Sequence, residues 1–200
     1  MTDLFNDKAD DWDANDMVKQ LSSAIGNSIL NNVSINDQMN IMDFGAGTGL
    51  ISSHVASLVK NIVAVDTSEA MLTQLASKPE LQKKVKTVCQ DITINPLSER
   101  FDLIVSAMAM HHVKDTDKLL EVFAKHLNSG CKVALADLDK EDGSFHPQDI
   151  QGVYHDGFER SELQALLTKH GFVDIHFNTA HTVHKEGKQY PIFLVIATKK

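Results

Sequence analysis

From Met39 onward, short apolar runs rich in β-branched residues alternate with stretches whose apolar positions recur at helical spacing. The runs predict strands over Asn40–Phe44, Asn61–Asp66, 84–90, Phe101–Ala107 and 132–137, each apolar almost without interruption, as in strands buried on both faces. After the fourth run, Leu119, Leu120, Phe123 and Leu127 fall on one helical face. Leu163, Leu166, Leu167 and His170 repeat the pattern later, with Gly171 as the stop. Asp16–Asn32 reads as a helix added ahead of the first strand. Towards the end the period returns to that of strands over 173–184 and 189–198, joined through Lys185-Glu186-Gly187-Lys188 as an antiparallel hairpin. This order predicts an α/β fold: a three-layer Rossmann-like sandwich around a seven-stranded, mostly parallel sheet with a C-terminal antiparallel hairpin. The stretch 138–160 fits no element. It is expected as a loop or lid at the carboxyl end of the fifth strand, where open α/β sheets keep their ligands.

Composition narrows the setting. A chain of 200 residues, 42% hydrophobic, supports one core, so 1–200 is expected as a single domain with an N-terminal lid and helix over 1–35. No run of 18 apolar residues occurs and the first residues are acidic and polar, which predicts no membrane segment and a cytoplasmic protein. Cys89 and Cys131 lack the spacing of a zinc site or a disulfide framework and are expected as reduced core thiols. The net charge of -8, with no basic stripe, argues against nucleic acid and for a small-molecule substrate. The acidic cluster Asp10-Asp11-Asp13-Asp16 reads as a solvated face and helix start. Of the ten histidines, His111 and His112 are adjacent and His181 and His184 point to opposite faces of a strand, so no metal site is expected.

The candidate chemistry begins at Asp43-Phe44-Gly45-Ala46-Gly47-Thr48-Gly49, between a strand and a helix start. Glycines there permit positive φ and a close approach of backbone to ligand, and the helix start offers free N–H groups. A dinucleotide fingerprint would need Gly or Ala at position 50 or 52, where Leu50 and Ser52 stand. Asp43, two residues ahead of the first glycine, suits a ligand with an ammonium group and would repel a pyrophosphate. Asp66 closes the second strand, where a carboxylate commonly receives a ribose diol. Asp91 follows the third strand at the same edge, within reach of an adenine amino group.

On these residues the chain resembles the class I S-adenosylmethionine-dependent methyltransferases, and among them the ubiquinone/menaquinone-biosynthesis C-methyltransferase group. Phe101-Asp102-Leu103-Ile104-Val105-Ser106 with His111-His112-Val113, Leu127-Asn128-Ser129-Gly130, and Phe5-Asn6-Asp7-Lys8-Ala9 with Trp12-Asp13 extend the likeness over most of the chain. The resemblance implies S-adenosyl-L-methionine as cofactor, with Gly45 and Gly47 against its methionine part and Asp66 on its ribose. Asp91 and the Ile92 backbone would read adenine, Met71 would cover its face, and the Ser106 and Ala107 backbone would receive the ammonium. Ala46, Gly49 and Thr67 belong to the same expected set, and Trp12 is either a lid aromatic or an anchor for the first helix. The family usually has Pro-Gly-Gly before its fifth strand; Ser129-Gly130-Cys131 departs from it.

Methyl transfer from a sulfonium is an in-line displacement that alignment and desolvation can accelerate, so no dedicated catalytic residue is obligatory. Where the acceptor must lose a proton, His112 and His155 are the expected bases. Ser106-Ala107-Met108-Ala109-Met110 lacks the Pro-Pro-aromatic pattern of base-directed N-methyltransferases, and Met108, Met110, Phe145 and Phe158 suggest an apolar acceptor pocket beside 138–160. Two alternatives remain open: a non-catalytic S-adenosylmethionine-binding or regulatory protein, and a nicotinamide-dependent oxidoreductase, the latter disfavoured by Leu50 and Asp43.

Overall fold

The computed structural model describes residues 3, 5–147 and 150–200; positions 1, 2 and 4 of the expected N-terminal lid and 148 and 149 of the expected loop lie outside them. Two short 3₁₀ turns, Asn6–Lys8 and Trp12–Ala14, precede α1 (Asp16–Asn32). The alternation then runs β1 (Asn40–Phe44), α2 (Leu50–Val55), β2 (Asn61–Asp66), α3 (Glu69–Ser77), β3 (Val85–Cys89) and β4 (Phe101–Ala107). It continues through α4 (Thr116–Lys125), β5 (Leu127–Leu138) and α5 (Arg160–Lys169) to the hairpin β6 (Phe172–Lys185) and β7 (Lys188–Lys199). Side chains of Asn15, Ser68 and Asp115 accept N–H groups of the first turns of α1, α3 and α4, which is why those helices start where they do.

One seven-stranded sheet has the order β3-β2-β1-β4-β5-β7-β6. The first five strands are parallel neighbours, and β7 is antiparallel to both β5 and β6. The last strand therefore slots inside the sheet. Its run Ile192-Phe193-Leu194-Val195-Ile196-Ala197 is buried throughout, so it needs neighbours on both sides, while β6, with exposed His176 and Thr179, takes the edge.

The pleat sends alternate side chains to two cores. Ile41, Leu103 and Val105 meet α1, α2 and α3 through Ile25, Ile29, Val55, Leu72 and Leu75. Met42, Ile104, Val133 and Phe193 meet α4 and α5 through Leu119, Phe123, Leu163 and Leu167. Each fully buried Leu or Phe contributes about 2 kcal/mol, so the layers are held by many such residues on both faces. The helix α2 can lie close to α1 because Gly26 faces the His54 ring, which a Cβ there would meet at 2.5 Å.

Several boundaries differ from the sequence reading, each for a physical reason. Strand β3 is not buried on both faces: it is the outer strand, largely exposed, and with it Cys89 is an exposed thiol and no core residue. Cys131 is half-buried. Leu127 belongs to β5 and not to the face of α4, because His126 ends that helix by donating its N–H to Val122 and Phe123. β5 is much longer than expected, and Ser129-Gly130-Cys131 forms an irregularity within it: Phe101 pairs with Leu127 and Leu103 with Lys132, with Gly130 at φ 83° between them. The hairpin turn is the two-residue Glu186-Gly187, both at positive φ, as a twist-matched turn requires. Residues 138–160 hold loops pinned by a parallel bridge between Asp139 and Phe158, with Leu138 ending β5 and Arg160 opening α5. Among the described residues no helix is long and apolar enough to cross a membrane.

Candidate functional site

The glycine turn leaves β1 at the carboxyl edge of the sheet. Gly45, Gly47 and Gly49 have φ of 65°, 53° and 83°, a region that side-chain-bearing residues seldom adopt. The three differ in surroundings. A Cβ at Gly45 would lie 2.2 Å from the Ala109 Cβ and one at Gly49 would strike Leu75, whereas at Gly47 nothing stands within 4 Å. Gly45 thus lets the segment after β4 lie against the turn, and Gly47 presents an open face.

Three carboxylates surround this turn. Asp43 is 1% exposed and accepts the Ser52 hydroxyl at 2.6 Å, and burial raises its carboxyl to about 7. Asp66 accepts the Gly47 N–H at 2.8 Å and the Ser68 N–H at 2.9 Å. Burial, against those N–H bonds, leaves its carboxyl raised. Asp91 turns one oxygen on its own loop, accepting the Thr93 N–H and hydroxyl, over a fully buried Ile92. Met71 is buried at the start of α3, and Thr67 is exposed. Ser106, at the end of β4, is buried with its hydroxyl unpartnered.

The N-terminal segment lies across this edge. Asp3 accepts the Ser68 hydroxyl at 2.8 Å, Asp10 the Gln74 amide at 2.6 Å, and Asp13 the Thr48 hydroxyl at 2.5 Å. Asp13 also pairs with Lys78 at 2.6 Å, so part of the acidic cluster is docked and not merely solvated. The Phe5 ring touches half-buried Trp12 (centroids 6.0 Å apart) and His112 (5.3 Å) and so bridges to the other side of the site.

That other side is built after β4. Met108, at φ 56°, turns the chain into a 3₁₀ turn, Met110–His112. His111 is 1% exposed; its ring Nδ1 lies 2.7 Å from Asp137 Oδ1, and its backbone N–H donates to Asp137 Oδ2 at 3.2 Å. His112 donates Nδ1–H to the Gly152 carbonyl at 2.7 Å. The His146 ring lies 5.0 Å from His111 and 6.1 Å from His112. Burial, helped by the neighbouring His111, lowers His112 and His146 each to about 4, so both are neutral near pH 7. His155 stands apart: its Nε2 bonds the Val113 carbonyl at 2.9 Å and its ring packs on Phe158.

Of the expected acceptor-side residues, then, the fold brings His112 and Phe145 together, by way of His146. Met110 is fully buried in the α4–α5 core, and Phe158 packs on Phe193, so neither lines a pocket here. The sequence reading gave no role to Asp137, His111 or His146. One signal was present: an acid that interrupts the apolar run Val133-Ala134-Leu135-Ala136-Asp137-Leu138 must be partnered when buried. Among the described residues no three metal-ligating side chains are disposed to hold an ion. A cleft of about 550 Å³ at the opposite edge, lined by Asn40, Asn61, Lys84 and Arg100, shares no residue with this site.

Sheet order, glycine turn and strand-end carboxylates define a Rossmann-like α/β fold with a candidate ligand site at its carboxyl edge. The Methyltransferase domain family profile matches residues 41–130. An uncharacterized methyltransferase of Schizosaccharomyces pombe is 34% identical over 135 residues, 60% of this chain and 48% of its own length. One from Bacillus pumilus is 29% identical over 125 residues, 60% of this chain and 56% of its own. The chain spans about half the length of these curated relatives. In fold it is similar to the chain bound by the Trm112 methyltransferase activator of Haloferax volcanii, with TM-score 0.80, 13% identity, and coverage of 99% of this chain and 98% of that one. It is also similar to the N-methyltransferase NodS of Bradyrhizobium japonicum, solved with S-adenosyl-L-homocysteine: TM-score 0.73, 14% identity, coverage 98% and 94%. Residues 41–130 thus match a methyltransferase domain, and the chain has the fold of the class I S-adenosylmethionine-dependent methyltransferases.

Proposed function

We propose that this chain binds S-adenosyl-L-methionine at the glycine turn and transfers its methyl group to a small-molecule acceptor, with residues 1–200 acting as one cytoplasmic domain. The observation that carries the reading is the open face at Gly47, where one carboxylate, Asp66, gathers the N–H groups of Gly47 and Ser68. The residues present fit the cofactor. Gly45, Ala46, Gly47 and Gly49 form the cradle for its amino-acid part, with Asp43 buried behind them, and Ser106 and Ala107 flank it. Asp66 and Thr67 meet the ribose, while Asp91, Ile92 and Met71 frame the adenine; Trp12 closes from the N-terminal side. The bound sulfonium supplies an activated methyl group. The protein's own contribution is alignment and exclusion of water, to which Phe5 and Trp12 contribute by covering the site.

His112 gives its Nδ1–H to the Gly152 carbonyl and is kept neutral by burial, whereas His155 spends Nε2 on the Val113 carbonyl and the Thr116 hydroxyl and anchors the start of α4. The tests are direct. Calorimetry should show binding of S-adenosylmethionine and S-adenosylhomocysteine and none of NAD; recovery of NAD(H) alone from the purified protein would refute the reading. Binding without transfer to any of a broad set of acceptors carrying O–H, S–H, N–H and acidic C–H groups would favour a regulatory, non-catalytic role.

A further inference from the structure

We infer that His111 is the proton acceptor of the transfer reaction and Asp137 the residue that positions it, which makes the methyl acceptor a group that must lose a proton, such as a hydroxyl. The inference rests on the methyltransferase reading above and concerns the group that receives the methyl.

Asp137 is fully buried, and its oxygens take the Leu138 N–H at 2.8 Å and the backbone and ring of His111. A carboxylate only accepts, so His111 carries its proton on Nδ1 and leaves a lone pair on Nε2. Among the described residues that Nε2 is buried without a partner, as is Nε2 of His146. Buried polar atoms are almost always bonded, and exceptions concentrate where chemistry happens.

The place is right. Ala109, two residues before His111, is the residue that Gly45 accommodates against the cofactor turn. The charges around the cluster single out one ring. Burial disfavours a proton on His112 and on His146, whereas the Asp137 carboxylate is bonded to the ring of His111. A proton taken up at His111 Nε2 would leave the ring against the Asp137 oxygen that already bonds it. His146, half-buried, lies on the solvent side of the cluster with its ring 5.0 Å from that of His111.

A base matters where the acceptor must lose a proton that it does not readily give up. A thioether has none to lose, whereas a hydroxyl or an ammonium group must give one up before its lone pair can take the methyl group. In the step, the acceptor O–H bond breaks and its proton goes to His111 Nε2. The oxygen electron pair forms the new O–CH₃ bond, and the pair of the broken methyl–sulfur bond stays with the departing sulfur as a neutral thioether.

The first measurement needs no variant. In ¹⁵N-histidine-labelled protein, NMR should show His111 as the Nδ1–H tautomer; an Nε2–H tautomer would overturn the proposal. Asp137→Asn should move that tautomer towards Nε2–H. The second follows methyl-labelled cofactor with catechol and dimethyl sulfide as probes. Catechol should be methylated, and His111→Gln should lower kcat on it about 100-fold with adenosylhomocysteine affinity unchanged. Unchanged kcat in His111→Gln, transfer to dimethyl sulfide alone, or adenosylhomocysteine binding with transfer to neither probe would sink the proposal. If wild-type protein fails to bind adenosylhomocysteine, the methyltransferase reading falls instead.

Discussion

On the β1–β2 side of the site the decisive contacts are short in sequence: Ser52 reaches Asp43 across 9 positions and Gly47 reaches Asp66 across 19. On the β4–β5 side they are long: His111 meets Asp137 across 26 positions, His112 meets Gly152 across 40 and His155 meets Val113 across 42. The two sides also store protons in opposite senses. Burial holds Asp43 protonated up to about 7, and the same cause holds His112 and His146 neutral down to about 4. The cofactor side is thus a compact turn with a buried acid, and the acceptor side a neutral histidine cluster assembled by folding. A family can retain the first as a motif while the second varies with the substrate.

The largest expected effect tests the turn. Gly45→Ala combines a Cβ at 2.2 Å from Ala109 with an unfavourable φ, and should cost about 3 kcal/mol or more. Its Tm should fall by about 10 °C. Gly47→Ala meets no neighbour and should cost only about 1 kcal/mol in stability, while losing cofactor affinity because the new methyl group fills the open face. Thermal melts and calorimetry on both variants separate the two roles; equal stability losses would show that Gly45 is not wedged against the segment after β4.

Next in size, Asp66→Ala should weaken adenosylhomocysteine at least about tenfold, an effect of about 1.4 kcal/mol. The fold should survive at a cost of about 1–3 kcal/mol, since the N–H of buried Ser68 loses its partner. Unchanged calorimetric affinity would remove Asp66 from the site.

The opposite proton preferences predict opposite pH limbs of stability. Unfolded Asp43 would release its proton near about pH 4, and the folded carboxyl holds it to about 7. The folded state binds the extra proton in that window, so this contribution is full at low pH and is lost as pH rises through about 7. For His112 and His146 the unfolded chain binds protons first, from 6.5 down, so their contribution is present above 6.5 and lost as pH falls through about 4. Asp43→Asn should flatten the alkaline limb of Tm against pH, and His146→Phe the acid limb. Both variants tracking wild type in parallel would contradict the burial argument.

Most of the frame was legible because it is local. The strands β1, β2 and β4, the helix α1 and the three glycines stand where hydrophobic period and turn chemistry place them. What escaped depends on partners far away in sequence. Whether β3 is buried is decided by its place at the sheet edge, and the place of β7 by competition between the two hairpin strands for the inner position. His111 could be weighed only against its neighbour His112, since the carboxylate that orients it arrives with another strand.

The smallest effect probes the join between the two sides, the N-terminal segment that carries Phe5 to His112 and Asp13 to Thr48. Asp13 is partly exposed, so removing its pair with Lys78 should change stability by no more than about 1 kcal/mol. Its bond to Thr48 nevertheless ties the segment to the glycine turn itself. If the segment covers a bound cofactor, Asp13→Ala should leave Tm nearly unchanged and raise the dissociation rate of adenosylhomocysteine a few-fold, because interface changes act mainly on departure. Stopped-flow displacement measures that rate. An unchanged rate with unchanged Tm would mean that Phe5 and Trp12 rest on the site without retaining its ligand, and that the two sides are coupled through Gly45 and Ala109 alone.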